Sequence, residues 1–200
     1  TYALRLVEVA VEERLIMARS KVKALILAGE PGASIPAVRQ RLEQLWNGAR
    51  PFDHHGMTEV GAVTYECPKR PGVLHVMEDA YLAEVIHPVL DEPVEAGQIG
   101  ELVLTTLGRT GSPLLRYRTG DLVRSSQPSP CECGRHFLAL EGGILGRCDD
   151  MFVVRGVNVF PGGGEGVIRG CGGIAEYQVH ITTENPLTEM AVRIAPVNGT

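Results

Sequence analysis

The order of apolar segments is the feature of this chain that most limits its fold. Residues 1–16 carry apolar side chains at helical spacing, and residues 22–28 form a short apolar run. Ser34 as cap and Pro36 in the first turn indicate a second helix, and a short strand pattern follows at residues 50–53. Helices and strands that alternate in this way predict a parallel α/β layer at the start of the chain.

The pattern changes after residue 73. Short strand patterns separated by proline- and glycine-containing turns extend to residue 123, which predicts a small, mainly antiparallel β subdomain. A new unit is expected after Asp149, because three further strand patterns follow it at residues 152–154, 177–182 and 190–194. The predicted fold class is α/β, with an α+β unit at the end.

Composition excludes two classes of partner. The net charge is -5 at pH 7, and only three of the basic residues are lysines, which argues against nucleic-acid binding, since that normally needs a basic face. The longest apolar runs, such as residues 24–28, are far too short to cross a bilayer. We therefore expect neither nucleic acid nor membrane as a partner.

Cysteine usage favours a reducing compartment. The number of cysteines is odd, five in all, and Cys131 and Cys133 lie close together beside histidine-containing sequence. This pattern fits metal binding better than a disulfide framework. The amphipathic, glutamate-containing N-terminal stretch is unlike a secretory signal. A cytoplasmic location is expected.

Two charge-dense segments lie between apolar runs, Arg-Tyr-Arg-Thr-Gly-Asp at residues 116–121 and Gly-Arg-Cys-Asp-Asp at residues 146–150. Loops held between strands are where binding groups tend to lie. A turn predicted at Thr119 and Gly120 would present the Asp121 carboxylate, which can accept hydrogen bonds from two adjacent hydroxyls. The alternative is a surface Asp–Arg pair that contributes at most about 1 kcal/mol.

A third segment is His-Gly-Met-Thr-Glu at residues 55–59. Gly56 permits close backbone approach, Thr58 offers a hydroxyl to a phosphate oxygen, and Glu59 offers a carboxylate to Mg²⁺. The alternative is an ordinary helix start, with Thr58 as its cap. Upstream, Gly29-Glu30-Pro31 ends a strand and could lie against a flat ligand, although alone it is a generic turn.

In order and wording, these segments resemble the motifs of the adenylate-forming superfamily, and most closely those of the phenylacetate-CoA ligase family. The resemblance is strong over residues 1–160 and weak beyond them. It implies part of an AMP-binding large domain at residues 1–146, then an incomplete C-terminal domain at residues 147–200. The family's phosphate loop is expected upstream of residue 1, and its catalytic lysine has no candidate after Lys69.

The resemblance also implies a reaction. A carboxylic acid, by family default an aryl acid, attacks the α-phosphate of Mg·ATP and releases pyrophosphate, and CoA then displaces AMP from the acyl-adenylate. The implied cofactors are ATP/AMP, Mg²⁺ and CoA. Two alternatives stay open: a non-catalytic remnant or accessory zinc-containing fragment, and an adenylating half that serves a carrier protein. Among partners, a second copy of the chain in a homodimer also stays open.

Residue roles follow from the same resemblance. Thr58 and Glu59 would manage phosphate and magnesium, and Asp121 would bind the ribose hydroxyls. The family usually has a tyrosine that stacks on adenine where this chain has His55. The remaining implied roles are adenine contact for Gly29, Glu30 and Pro31, close approach at Gly56, ribose or phosphate contact for Arg147, a hinge at Asp149, and a pantetheine channel at Gly156.

A second constellation consists of three cysteines and one histidine, namely Cys67, His75, Cys131 and Cys133. Three thiolates and one imidazole are a complete tetrahedral set for structural Zn²⁺. His136 or His87 could take the place of His75, and the alternative is a group of reduced, unpaired thiols in loops.

Glycines are concentrated at residues 162–173, without the lysine, serine or threonine of a phosphate loop. Relatives have an amphipathic helix after the Phe160-Pro161 pair. Each glycine in a helix costs roughly 1 kcal/mol relative to alanine, so we expect this helix to be weak or locally disordered.

Overall fold

The computed structural model describes residues 2–29, 32–126, 130–150, 152–155, 157–159, 164, 167–168, 170–171, 173–184 and 187–196. The chain divides into two compact units, Thr1–Leu145 and Gly146–Thr200. No helix in the described part of the chain is both long enough and apolar enough to span a bilayer.

The first unit begins with the expected α/β layer. Its elements are α1 (Tyr2–Glu12), a 3₁₀ turn (Met17–Arg19), β1 (Ala24–Leu27), α2 (Pro36–Leu45) and β2 (Arg50–Asp53). Strands β1 and β2 are parallel, as the alternation of patterns predicted. The two helices pack through a small apolar cluster that includes Leu4 and Leu42.

The start of α2 differs from the prediction. Ile35, in an extended conformation and without a side-chain cap, is the N-cap residue, and Pro36 takes the first helical position. Ser34 is instead engaged over a long range, because its hydroxyl donates a hydrogen bond to the Asp53 carboxylate. The expected capping role of Ser34 was therefore wrong.

The rest of the first unit is the small β subdomain. Its strands are β3 (Gly56–Met57), β4 (Gly61–Ala62), β5 (Thr64–Glu66), β6 (Val73–Val76), β7 (Tyr81–Ile86), β8 (Ile99–Thr106), β9 (Tyr117–Arg124) and β10 (Ala139–Glu141). Strands β3 and β4 form a hairpin, and the others form the antiparallel sheets β10-β6-β5 and β9-β8-β7. Their inner faces share one core, which includes Val63, Leu74, Leu102 and Leu140. The predicted fold class is confirmed.

The second unit contains β11 (Gly146–Arg147), β12 (Phe152–Val154), β13 (Val157–Val159), β14 (Ile174–Glu184) and β15 (Leu187–Pro196). Antiparallel pairing joins β12 to β13 and β14 to β15. Phe160, Pro161 and most of the glycine-rich stretch lie outside the described residues, so the expectation of a weak helix there stays a prediction.

The turn after β10 gives a first testable prediction. Gly143 has φ +69°, and a Cβ on it would lie 2.5 Å from Oγ of Ser34. Gly143→Ala should therefore lower the free energy of unfolding by about 2–4 kcal/mol, since backbone strain and overpacking add. Urea denaturation measures this change. As a control, Gly97→Ala has a positive φ of +91° but open space around the Cβ, and should cost only about 1 kcal/mol. Equal losses in the two variants would contradict the steric argument.

Candidate nucleotide site and metal centre

The segment at residues 55–59 forms a tight hairpin in the structure. Met57 ends β3, and Thr58 and Glu59 lie exposed in the turn that leads to β4. No helix begins at Thr58, so the capping alternative does not apply. The turn leaves the hydroxyl and the carboxylate open to solvent, where they can meet a ligand.

Gly56 has a steric role within this hairpin. A Cβ on Gly56 would lie 2.7 Å from the carbonyl oxygen of Gly61 and 3.1 Å from Cα of Ala62. The close approach that this glycine permits is therefore that of β4, the neighbouring strand.

The backbone of His55 is fixed by strand β5 and the residue before it. The His55 N–H donates to Oγ1 of Thr64 at 2.9 Å, and the His55 carbonyl accepts from the N–H of Val63, also at 2.9 Å. Thr64 is buried. These bonds hold the first residue of the segment rigidly.

Two buried carboxylates, those of Glu66 and Asp53, hold the backbone just before the segment at residues 55–59. The Glu66 side chain accepts hydrogen bonds from the backbone N–H of Asp53, from the N–H of Gly72 and from Arg39. The Asp53 carboxylate accepts one hydrogen bond from the N–H of His54 at 2.9 Å and another from the Ser34 hydroxyl. Burial raises the pKa of the Asp53 carboxyl. Sequence reasoning missed this network, because its members are far apart in the chain and follow no local pattern.

Asp121 lies in a β-bulge. Between the pairs Glu101–Leu122 and Val103–Arg118 the register shifts, so three residues of β9 face a single residue of β8. Gly120 has φ +76°, and the Asp121 carboxylate is buried. A turn was predicted here; the structure has a bulge inside a continuous strand, which redirects the side chain in the same way.

Glu101 and Arg118 stabilise the bulge. Oε1 of buried Glu101 accepts the Gly120 N–H at 3.1 Å, and Oε2 accepts Nε of Arg118 at 2.9 Å. Arg118 also donates to Asp91 at 2.8 Å. Thr119 donates to the Leu102 carbonyl at 2.8 Å, and its oxygen accepts the Asp121 N–H. These supporting roles were not predicted, although Arg118 and Thr119 belong to the segment that was.

The structure brings His55 and Asp121 together. Nε2 of His55 lies 3.2 Å from Oδ2 of Asp121, and the two side chains are only 13% and 7% exposed. Residues 66 positions apart in sequence thus meet in one buried pair, at the junction of the hairpin and the bulge.

The other predicted site residues are placed as follows. Gly29 lies after β1 with φ +86°, whereas Glu30, Pro31 and Gly156 lie outside the described residues. Arg147, in the second unit, donates to both carboxylate oxygens of Asp149, at 2.8 and 2.9 Å. Hydrogen bonding to Arg147 lowers the pKa of the exposed Asp149 carboxyl.

The four predicted metal ligands converge. Cys67 follows β5, His75 lies on β6, and Cys131 and Cys133 lie on the loop before β10. Their ligand atoms lie within 4.8 Å of one another. The Cys67 and Cys131 sulfurs are 3.5 Å apart, and the Cys133 sulfur is 3.4 Å from Nε2 of His75. The histidine in the cluster is His75, not His87 or His136.

The surroundings of the cluster fit a tetrahedral metal site. Nδ1 of His75 is 3.3 Å from the Phe137 carbonyl, a contact that would fix Nδ1 as donor and leave Nε2 to bind metal. Backbone N–H groups of Lys69 and Arg70 point at the Cys67 sulfur. Three sulfur ligands and one nitrogen ligand are typical of structural zinc.

The thiols of the cluster differ in acidity. Burial raises the pKa of Cys67. Burial also acts to raise that of Cys133, but hydrogen bonds from the Arg135 backbone and the neighbouring thiols outweigh it and lower the pKa of Cys133 to about 6. One sulfur is thus readily available as the thiolate that a metal needs.

The chain is similar to part of several known ligases. No protein-family model matches it. It is 36% identical over 172 residues to the phenylacetate-coenzyme A ligase of Thermus thermophilus, a match that covers 84% of this chain and 38% of that protein. It is 32% identical over 161 residues to the Escherichia coli phenylacetate-coenzyme A ligase, covering 79% of this chain and 36% of that protein. The chain thus spans well under half the length of these relatives.

Solved structures of CoA ligases have a similar fold over nearly the whole of this chain. The crystal structure of 2-hydroxyisobutyryl-CoA ligase in the postadenylation state, in complex with 2-HIB-AMP, matches with TM-score 0.91 and 34% identity over 98% of this chain and 42% of that one. An anthranilate CoA ligase in complex with anthranoyl-AMP matches with TM-score 0.66 at 16% identity, over 99% of this chain and 42% of that one, which shows the fold alone. The chain is therefore homologous to a segment of the phenylacetate-CoA ligases and has the fold of the matching part of the adenylate-forming CoA ligases.

Proposed function

We propose that this chain forms part of an AMP-forming acid–CoA ligase and carries elements of its nucleotide site. In the overall reaction a carboxylate attacks the α-phosphate of ATP, pyrophosphate leaves, and the CoA thiol displaces AMP from the acyl-adenylate. The observation that carries the proposal is the buried Asp121 carboxylate, held in a bulge beside the segment at residues 55–59. A buried carboxylate fixed by backbone geometry is suited to two adjacent ribose hydroxyls.

The proposed roles divide between binding and charge neutralisation. Asp121 accepts hydrogen bonds from the ribose hydroxyls, Thr58 donates one to a phosphate oxygen, and Glu59 provides a carboxylate ligand for Mg²⁺. Positioning and charge neutralisation do most of the work in attack at phosphorus. The homology supports further roles for adenine contact (Gly29, Glu30, Pro31), ribose or phosphate contact (Arg147), hinge motion (Asp149) and CoA access (Gly156).

An aryl acid such as phenylacetate is the substrate that we propose. Two relatives at 36% and 32% identity are phenylacetate-coenzyme A ligases by name. The 34% identical 2-hydroxyisobutyryl-CoA ligase carries a small aliphatic hydroxy acid, so both acids belong in the test. Because the free, neighbouring thiols of the cysteine cluster need reducing conditions, we propose a cytoplasmic enzyme.

We further propose that Cys67, His75, Cys131 and Cys133 hold a structural Zn²⁺. Four protein ligands leave no coordination position for a substrate, so the metal would stabilise the fold and take no part in the chemistry. Its ligands would join β5, β6 and the loop before β10.

The test is acid-dependent ATP–pyrophosphate exchange. Because the relatives are longer than this chain, the chain replaces the matching segment within the Thermus thermophilus ligase. The unmodified ligase is the control. We expect the chimera to catalyse exchange with phenylacetate, and Glu59→Gln to reduce the rate at least about tenfold through the loss of a charged metal ligand. A chimera that folds and binds zinc, yet shows no exchange with any acid, would contradict the proposal.

A further inference from the structure

The outer nitrogen of the His55 ring, Nε2, has no well-aligned hydrogen-bond partner among the described residues. Nε2 is buried and lies at ion-pair distance from Asp121, 3.2 Å from Oδ2, but it makes no aligned hydrogen bond to any residue in the described part of the chain. A buried polar nitrogen that stays unpaired is costly. Such an atom beside a carboxylate calls for a functional explanation.

We propose that His55 is a positioning residue for Asp121. Its Nε2–H donates to Oδ2 and fixes the plane of the carboxylate, so that the remaining acceptor positions meet the ribose hydroxyls. This inference rests on the proposed binding of ribose by Asp121. The 3.2 Å separation of Nε2 and Oδ2 is within hydrogen-bond distance, so a small rotation of the ring or of the carboxylate aligns the bond.

The backbone explains why the pair can hold this geometry. Bonds to Thr64 and Val63 fix His55 on one side. The bulge, stabilised by Glu101, fixes Asp121 on the other. Neither side chain is free to swing into solvent, since both are almost fully buried. Ring stacking on adenine would use the face of the imidazole, whereas donation to Asp121 uses its edge. Substitutions that keep only the aromatic face or only the N–H therefore distinguish the two roles.

The test compares AMP with 2′-deoxyAMP by calorimetric titration of the full chain. The wild-type protein should bind AMP about tenfold or more tightly, because 2′-deoxyAMP lacks one hydrogen bond to a charged acceptor. His55→Phe keeps an aromatic face but has no N–H, and should lower this preference to below about threefold. His55→Gln carries an amide N–H near the position of Nε2 and should keep most of the preference.

Other results would overturn either the role of His55 or the proposed ribose site. If His55→Phe weakens both nucleotides equally and leaves the preference unchanged, the role is structural or stacking and the inference is overturned. If Asp121→Asn lowers the preference but His55→Phe does not, only the inference fails. If wild-type protein binds no AMP, or if Asp121→Asn leaves the preference intact, the proposed ribose site fails and the inference with it. Zinc content and thermal midpoint verify that each variant is folded.

Discussion

Replacing Cys131 with serine is expected to abolish zinc binding and to lower the thermal midpoint of the chain by about 10 °C. The reason is that Cys131 is one of four ligand atoms within 4.8 Å of one another, and a serine hydroxyl is a poor substitute for a thiolate. Zinc at about a thousand times its dissociation constant contributes about 4 kcal/mol to folding, and in a protein of this size 1 kcal/mol shifts the midpoint by about 2–4 °C. Metal analysis and thermal melts of freshly purified, reduced protein measure both effects.

Cys171→Ser is the matched control. Its thiol is exposed and lies in the second unit, where its sulfur contacts the Val167 carbonyl at 3.3 Å. The control should retain about one zinc per chain and the wild-type midpoint. Wild-type protein that contains no zinc, or whose midpoint does not change when a chelator removes the metal, would rule out the structural site.

The proposed metal site and the proposed nucleotide site both use strand β5. Cys67 directly follows this strand, and Thr64 at its other end accepts the hydrogen bond that fixes His55. Glu66, between them, holds the N–H of Asp53. Zinc at the proposed site would order the end of β5 and, through Thr64 and Glu66, the support of the hairpin, so the zinc-free protein should bind nucleotide more weakly.

Sequence reasoning found the features that have strong local signatures. The α/β layer followed from helix and strand periodicity, and the cluster of three cysteines and one histidine followed from its complete tetrahedral set of donor groups. Asp121 followed from a charge-dense segment between apolar runs, and the segment at residues 55–59 followed from its residue types and its resemblance to a family motif. In each case the residues carry their own signal and need no knowledge of their partners.

The supporting residues could not be found in this way. Arg39 bonds to Glu66 across 27 positions, and Ser34 bonds to Asp53 across 19. Glu101 reads in sequence as an ordinary strand residue, yet it is buried and holds the bulge. Such pairings depend on how strands and helices come together, and a single sequence has no local pattern that reports them.

Asp121→Asn should weaken AMP binding about a hundredfold. The substitution removes the negative charge and turns one of two acceptors into a donor, which disrupts two charge-assisted hydrogen bonds to the ribose, each contributing about 1.5–3 kcal/mol. The fold should survive, because asparagine has nearly the same shape as aspartate and the bulge is held by Glu101. Calorimetric titration with AMP and with adenine distinguishes a ribose effect from a general one: the affinity for adenine should not change.

Glu84→Gln provides the charge-matched control for this result. Glu84 lies on β7 of the same sheet and pairs at 3.1 Å with Arg116, whose side chain is exposed, while that of Glu84 is partly exposed. The Glu84→Gln substitution removes the same unit of negative charge from the same sheet. A loss of AMP affinity caused by net charge alone would therefore appear in both variants. AMP affinity that falls only in Asp121→Asn would localise the effect to the buried carboxylate. Unchanged AMP affinity in Asp121→Asn would mean that this carboxylate does not bind the ribose.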